Sequence, residues 1–183
     1  MARAKKPQTA GDMIRSLAVI LLPVLLISLV FTRNLDDAPV TVVDWRPVLT
    51  KARAESRYPV LAPTNLPPEW RATQVSWVKA GAPFLNGAPA VRNTWQLGFL
   101  APDGTFIGLN QGDLKAAEFV QDQSRSGLPD GQSEVAGKSW ARLVTEDERT
   151  RSLVLTEPKV TTVVVGDTSY AALESYAATL RTS

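Results

Sequence analysis

Residues 91–100, VRNTWQLGFL, carry the clearest alternation of apolar and polar side chains in the chain. One set of alternate positions is apolar: Val91, Trp95, Leu97 and Phe99. The other set is polar or small: Arg92, Thr94, Gln96 and Gly98. Successive side chains of a β-strand point to opposite faces of its sheet, so this stretch predicts a strand with one face in the core.

A tight turn is predicted directly after this strand. In Pro102-Asp103-Gly104 the proline presets φ and the glycine accepts a positive φ. Residues 106–109 are therefore expected to return as the hairpin partner of the first strand.

Further strands and three helices are predicted around this hairpin. The strands are residues 70–79, 139–144, 151–156 and 159–165. The helices are one that begins at Trp45 after an Asp44 cap and ends before Pro59, one that runs from an Asp113 cap to Gln121, and a C-terminal one with the apolar stripe Tyr170, Leu173, Tyr176, Ala177 and Leu180. Residues 127–137, rich in glycine, are predicted as a polar loop.

The order of these elements predicts an α+β fold, with a mostly antiparallel sheet and helices on one face. Parallel βαβ winding is not expected because the spacers between strands are too short for crossover helices.

Residues 16–32, SLAVILLPVLLISLVFT, contain no charged side chain. As a helix they extend roughly 26 Å at ~1.5 Å per residue, slightly under the ~30 Å of membrane hydrocarbon, and Arg15 and Arg33 can snorkel to the headgroups. The run predicts one transmembrane helix in contact with lipid. Because basic residues precede it and Asp36, Asp37 and Asp44 follow it, the N-terminus is expected in the cytoplasm and the rest outside.

Two other interpretations of this run are a cleaved signal peptide and a buried helix of a soluble domain. The run is longer than a typical signal-peptide core of ~7–15 residues, and residues 31–35 offer no cleavage site between small side chains. The predicted organisation is therefore a cytoplasmic tail at 1–15, a transmembrane helix at 16–32, a stalk at 33–43 and an extracytoplasmic domain at 44–183.

Composition removes several classes of chemistry. The chain has no Cys and no His, which removes disulfides, thiolate nucleophiles, lipidated cysteine anchors, the usual zinc sites and imidazole bases. Beyond residue 33 there are 15 basic and 17 acidic residues, so the outer domain is near neutral and nucleic acid is not an expected partner.

Three patterns were considered as chemical sites, and none predicts one. Ser76 and Lys79 match the S-x-x-K spacing of penicillin-recognising enzymes, but that spacing needs a helix and lies here in a predicted strand. Residues 146–148, Glu-Asp-Glu, lack the surrounding oxygen ligands of a calcium loop and are expected in a solvated turn. Five tryptophans suggest either a carbohydrate platform or core packing, and their strand positions favour the core: Trp45, Trp70, Trp77, Trp95 and Trp140. Trp45 is alternatively placed at a membrane interface.

Several segments together resemble an actinobacterial family of single-pass membrane proteins of unknown function, domain of unknown function 4245. These segments are residues 43–45, 66–72, 95–99, 102–104, 137–140 and 166–168 with the helix that follows. The resemblance implies an envelope protein and assigns no catalytic, cofactor-binding or metal-binding residue. The last strands and helix are also similar to outer domains of anti-sigma and sporulation regulators, although a tail of 15 residues is too short for a sigma-binding domain.

The leading hypothesis is a non-enzymatic, membrane-tethered domain that binds an unknown envelope protein or component. The alternatives are a cell-wall enzyme that uses carboxylates or a serine, and a carrier of small molecules or lipids beneath the C-terminal helix.

Overall fold

The computed structural model describes residues 10–33, 41–83 and 87–182. The chain divides into two compact units, residues 1–40 and residues 41–183. The predicted tail 1–15 and stalk 33–43 fall partly outside the described residues.

The described residues of the first unit form one helix, α1 (Ala10–Arg33), with Pro23 inside it. It includes the whole uncharged run 16–32. In the described parts of the chain, no helix has both the length and the apolarity that crossing a membrane requires.

The second unit is an α+β domain built on a large antiparallel sheet. Its remaining elements, in chain order, are α2 (Arg46–Glu55), β1 (Ala62–Pro63), β2 (Arg71–Val78), β3 (Thr94–Leu100), β4 (Phe106–Gly112), α3 (Ala116–Gln123), β5 (Leu128–Val135), β6 (Lys138–Val144), β7 (Arg151–Glu157), β8 (Val160–Gly166), α4 (Tyr170–Ala177) and β9 (Leu180–Arg181). Seven strands form the main sheet in the order β2-β3-β4-β8-β7-β6-β5, and every neighbouring pair is antiparallel.

Two meanders meet in the middle of this sheet. Strands β2 to β4 form the first, strands β5 to β8 form the second, and β4 pairs with β8 from Ile107 opposite Gly166 to Gly112 opposite Thr161. The predicted hairpin at residues 102–104 is confirmed, with Gly104 at φ +83°. A separate pair joins β1 to β9, with Ala62 opposite Arg181.

One face of the sheet carries the main core. Alternate residues of β3 that were predicted to point inward are buried there, Trp95, Leu97 and Phe99. Helix α2 packs on this face through Leu49 and Ala52, and α4 through Leu173, Tyr176 and Ala177.

Helix α3 packs on the opposite face, so the prediction that all helices share one face is wrong. Its Phe119 joins Leu143, Val154 and Val163 in a second cluster, and Val163 alternates along β8 with Val164 of the main core. The β8 strand reads Val163-Val164-Val165 and is apolar on both faces, which is the sequence signal for a strand covered on both sides.

The predicted loop at residues 127–137 is instead the edge strand β5. Pro129 and Gly131 are tolerated there because an edge strand leaves one row of backbone groups unpaired, and the pairing with β6 shifts register between Pro129 and Gln132. Leu180 likewise belongs to β9 and not to the C-terminal helix.

The predicted Asp113 cap is also wrong. Helix α3 begins at Ala116 after Lys115, which has a φ of +53°. The Asp113 carboxylate instead accepts hydrogen bonds from the backbone N–H and the side-chain amide of Asn93. At α2, Asp44 Oδ1 accepts from the N–H of Arg46 at 3.1 Å, and Pro47 lies in the first turn as predicted.

A buried glutamine ties the chain before β1 to the core face. Gln111 is fully buried on β4, and its Oε1 accepts from the N–H of Leu61 at 2.8 Å. Its Nε2 donates to Thr162 Oγ1 at 3.1 Å and to the Pro59 carbonyl at 3.3 Å.

Candidate functional site

An open depression lies on the face of the sheet that carries α3, beside that helix. We call it the open-face groove, and its volume is about 600 Å³. The groove is lined by Gln74, Gln96, Leu97, Gly98, Asp103, Gly104, Thr105, Phe106, Gly108, Asn110, Asp122, Gln123, Arg125, Thr150, Val165, Gly166 and Asp167. Sites for small ligands commonly measure ~300–1,000 Å³, so the groove has the size of a ligand site.

Three side-chain amides lie on the floor of the groove, from Gln74 on β2, Gln96 on β3 and Asn110 on β4. Asn110 is only 8% exposed, yet no described residue forms a hydrogen bond with its side-chain amide. Buried amides normally have partners, so an unpaired one that lines a groove marks a place where a ligand or water completes the bonding.

Two paired glycines make the floor flat between these amides. Gly98 lies opposite Gly108 in the β3–β4 pairing. The Phe106 ring leans across them: a Cβ built on Gly98 would lie 2.5 Å from Phe106 Cζ, and one on Gly108 would lie 3.4 Å from Phe106 Cε1. The Phe106 side chain is nevertheless 41% exposed, so the groove presents an aromatic ring to solvent.

The turn between β3 and β4 forms one wall. Asp103 Oδ1 accepts the N–H of Thr105 at 2.9 Å, and hydrogen bonding with Thr105 lowers the pKa of Asp103 from its usual range. The wall therefore carries an ionised carboxylate at neutral pH.

The opposite wall is held by a network around Asp167. Thr150 Oγ1 donates to Asp167 Oδ1 at 2.6 Å, and Arg125 Nη1 donates to Thr150 Oγ1 at 3.1 Å. Arg125 and Arg149 form ion pairs with the Asp167 carboxylate at 3.5 and 3.6 Å.

The charges of the groove favour ligands that are not anions. Its described lining contains the carboxylates of Asp103, Asp122 and Asp167 and one cation, Arg125, which is already paired with Asp167. An anionic ligand would thus meet no unpaired cation among the described lining residues and would be repelled by Asp103 and Asp122.

A second depression, of about 840 Å³, brings together segments that are distant in sequence. Trp45, Trp70 and Phe99 line it, and residues 43–45 and 66–72 both contribute. Trp70 stacks on Tyr176 with ring centroids 5.7 Å apart, and Trp45 meets Phe99 edge to face at 6.0 Å. These rings therefore serve as packing between the N-terminal segments of the domain and α4.

Ser133 lies in a partly buried hydrogen-bonded cluster with Arg142 and Glu174, whose geometry is structural. Ser133 Oγ donates to Glu174 Oε1 at 2.6 Å and accepts from Arg142 Nε at 2.6 Å, while Arg142 Nη2 donates to Glu174 at 2.7 Å. The bonds from Ser133 and Arg142 lower the pKa of Glu174, which makes this carboxylate a weak base. The cluster fastens α4 to strands β5 and β6.

Neither the S-x-x-K spacing nor the acidic residues 146–148 form a chemical site in the structure. Ser76 lies in β2 and Lys79 just after it, so the helical S-x-x-K geometry is absent. Residues 146–148 lie in the turn between β6 and β7, where Thr145 and the N–H of Arg149 bond Asp147. Among the described residues, no group of three or more acidic side chains is arranged to hold a metal ion.

The expectation that the tryptophans are core residues is confirmed. Trp95 and Trp140 are buried in the main core, and the other three pack against it with partial exposure: Trp45, Trp70 and Trp77. The position of Trp45 relative to a membrane stays a prediction.

A family model described as protein of unknown function (DUF4245) matches residues 5–180. The chain belongs to this family. The resemblance identified from the sequence is therefore confirmed, whereas the single-pass membrane character and the actinobacterial origin stay predictions.

Two solved structures are similar to this DUF4245 chain. The crystal structure of MucB in complex with MucA(peri) matches with 14% identity and a TM-score of 0.37, over 67% of this chain and 36% of that one. The MucA/MucB complex of Pseudomonas aeruginosa matches with 14% identity and a TM-score of 0.36, over 67% and 34%. This chain spans about a third of the length of the chains it matches. No curated protein matches the chain.

Sequence reasoning did not single out the groove residues of this DUF4245 chain, although one signal was present. On β4 the outward positions read Phe106, Gly108, Asn110 and Gly112. A lone aromatic residue among small and amide residues on the polar side of a strand indicates an exposed ring on a flat surface. The contributions of α3 and of Asp167 depend on tertiary packing and had no such signal.

Proposed function

We propose that this chain is a non-catalytic binding protein of the cell envelope. Its N-terminal helix holds it at the membrane with the N-terminus in the cytoplasm, and its outer domain binds an envelope protein or component. The binding surface in this proposal is the open-face groove.

The observation that carries the proposal is the Asn110 amide on the groove floor. It is 8% exposed, and it has no hydrogen-bond partner among the described residues. Its amide atoms are not among the fully buried unpaired polar atoms, so they reach the groove and are available to hydrogen-bond a ligand there.

The membrane placement is supported by charge and by exposure. The charged residues before the run 16–32 are mostly basic, and Asp36 and Asp37 follow it. Along α1 the large apolar side chains between residues 13 and 29 are exposed. The described helix α1 does not have the combined length and apolarity that a membrane crossing requires. The experiments below therefore test membrane insertion as well as orientation.

A hydrolytic function receives partial support from the three carboxylates in the groove. Glycoside hydrolysis needs one carboxylic acid whose pKa is raised, so that it stays protonated at the scissile bond. The hydrogen bond from Thr105 instead lowers the pKa of Asp103. Asp103 is therefore not suited to the role of the general acid.

A carrier function receives less support. The alternative required an apolar cavity beneath the C-terminal helix, but the side chains that α4 turns toward the sheet are packed in the core, including Leu173 at 0% and Tyr176 at 2% exposure.

Binding is tested by photo-crosslinking in intact cells. A photoreactive amino acid replaces Gln96 in the groove, and a matched control places it at exposed Leu128 on the edge strand β5. We expect a discrete crosslinked product from position 96 in the membrane fraction and none from position 128. Equal products from both positions, or none from position 96, would refute the groove as the binding surface.

Membrane placement is tested with introduced cysteines, which the absence of native Cys makes unambiguous. We expect Thr182→Cys to react in intact cells with a maleimide that does not cross membranes, and Ala2→Cys to react only after lysis. The chain should also resist extraction from membranes at alkaline pH. Release into the soluble fraction, or the reverse labelling pattern, would overturn the placement.

A further inference from the structure

The geometry points to an uncharged oligosaccharide as the ligand of the open-face groove. This inference rests on the proposed binding function and assigns the chemical class of the ligand.

The floor offers groups that match sugar hydroxyls. A side-chain amide both donates and accepts hydrogen bonds, and so does a hydroxyl. Gln74, Gln96 and Asn110 place three such amides on adjacent strands, and Gln123 adds a fourth from α3. Asn110 is 92% buried and unpaired among the described residues, so its bonding capacity is directed to whatever occupies the groove.

The exposed ring supplies an apolar contact. The C–H groups on one face of a pyranose form a flat apolar surface that packs on an aromatic ring. Phe106 is 41% exposed and lies across Gly98 and Gly108, which places its ring next to the amides. Because the two glycines have no side chains, the ring can lie close to the sheet and offer its exposed part to a ligand.

The charges of the walls disfavour anionic ligands and are compatible with an uncharged one. Asp103 and Asp122 face the groove, whereas its described cation, Arg125, is occupied by Asp167. Phosphorylated or uronic-acid polymers would be repelled at this surface, while the hydroxyls of a neutral sugar can donate to both carboxylates.

The hydrogen bonding of the strand backbone beneath the groove argues against an added peptide strand as the ligand. Strands β3 and β4 are paired on both sides, β3 by β2 and β4, and β4 by β3 and β8. Their backbone N–H and C=O groups are engaged in the sheet, so a peptide cannot add a strand at β3 or β4, and strand addition beside the groove would have to use the edge strand β2. Recognition at the floor depends on side chains, as it does for sugars.

The test is titration of the full chain in phosphatidylcholine nanodiscs, since detergents with sugar headgroups would compete. The probes are cellohexaose and the hexamer of N-acetylglucosamine, with polygalacturonate as the anionic control. We expect at least one uncharged hexamer to bind by calorimetry and to shift the side-chain amide NMR resonances of Asn110, and we expect polygalacturonate to do neither.

Two variants link binding to the groove. We expect Phe106→Ala to weaken the affinity by about tenfold, the loss that an aromatic contact represents, and Asn110→Ala to weaken it similarly. Leu128→Ala, an exposed apolar residue outside the groove, is the matched control for Phe106 and should leave affinity unchanged. Thermal unfolding checks that each variant is folded. The NMR shifts of the Asn110 side-chain amide are measured on the unmodified chain, so they report binding in the groove even if a variant fails to fold.

The inference is wrong if neither hexamer binds, if polygalacturonate binds equally well, or if both groove variants bind as tightly as the parent chain. These results are separable from the proposed function. Crosslinking from position 96 to a protein, together with no sugar binding, would preserve the binding role and assign the groove to a protein partner.

Discussion

The ring of Phe106 occupies the space above Gly98 that any other side chain at position 98 would need. A Cβ there would lie 2.5 Å from Phe106 Cζ and 2.6 Å from Cε2, closer than real contacts allow. We expect Gly98→Ala to displace the ring and to lower the free energy of unfolding by about 1–3 kcal/mol, the usual cost of overpacking. Chemical denaturation measures this loss.

A double-mutant cycle identifies the cause of that loss. In a Phe106→Ala background the obstructing ring is absent, so Gly98→Ala should cost less than in the parent chain. Equal costs in both backgrounds would show that Gln74, whose Cβ lies 3.2 Å from the built atom, or the backbone is responsible instead.

Two buried tyrosines make a second prediction because only one has a partner for its hydroxyl. The Tyr176 hydroxyl is buried with no hydrogen-bond partner among the described residues. The Tyr58 hydroxyl lies 3.4 Å from the carbonyl oxygens of Asn93 and Gln111. We expect Tyr176→Phe to leave stability unchanged or raise it by up to about 1 kcal/mol, and Tyr58→Phe to lower it by about 0.5–1.5 kcal/mol.

Thermal and urea unfolding of the two variants, measured side by side, decide this. A larger loss for Tyr176→Phe than for Tyr58→Phe would mean that the Tyr176 hydroxyl is bonded in solution.

The lowered pKa of Glu174 leads to a third prediction, that the stability of the domain depends on pH. Hydrogen bonds from Ser133 and Arg142 lower its pKa in the folded domain below the ordinary 4.5. A carboxylate with a lowered folded pKa contributes stability above its unfolded pKa and loses that contribution as the pH falls through the folded pKa. The unfolding free energy should therefore fall as the pH decreases below about 4.5, and Glu174→Gln should flatten that part of the curve.

Glu134→Gln is the matched control, since Glu134 is exposed on β5 and bonds no described side chain. In the Glu134→Gln variant the unfolding free energy should fall below pH 4.5 as steeply as in the parent chain. If Glu174→Gln does not change the fall in unfolding free energy at acid pH, other carboxylates are responsible for the pH dependence.

Gln111 makes the fourth prediction. Its amide bonds the N–H of Leu61 and the carbonyl of Pro59, both in the segment that precedes β1. Gln111→Leu should lower the free energy of unfolding by about 1–3 kcal/mol for each group it leaves unpaired. Exposed Gln121→Leu is the control, and hydrogen exchange at Leu61 should accelerate only in the Gln111 variant.

The alternation of apolar and polar side chains, together with the residues typical of turns, was enough to predict most of the sheet. Alternation from Thr94 to Phe99 and the turn at residues 102–104 define β3 and β4, because these signals are local and each side chain faces one environment. The start was placed too early, since Arg92 and Asn93 are buried through bonds to Glu118 and Asp113 that no local pattern contains.

Elements that depend on distant partners were missed. Strand β5 contains Pro129 and Gly131, which read as a loop until β6 is available as a partner. Leu180 continues the helical stripe in sequence but pairs with Pro63 in the fold. For the site, only the polar side of β3 was anticipated, through Gln96 and Gly98, because the walls come from α3 and from the ends of β7 and β8.

The small β1–β9 pair has a consequence for how the domain is made. Residues 62–63 find their partners only at 180–181, so this strand pair cannot form until nearly the whole chain has been synthesised, whereas Gln111 can already hold Pro59 and Leu61. Until then both short strands lack the backbone hydrogen bonds that they form in the folded domain. Completion of the domain is thus a late step of its synthesis, and a chain that stops short of residue 180 lacks this strand pair altogether.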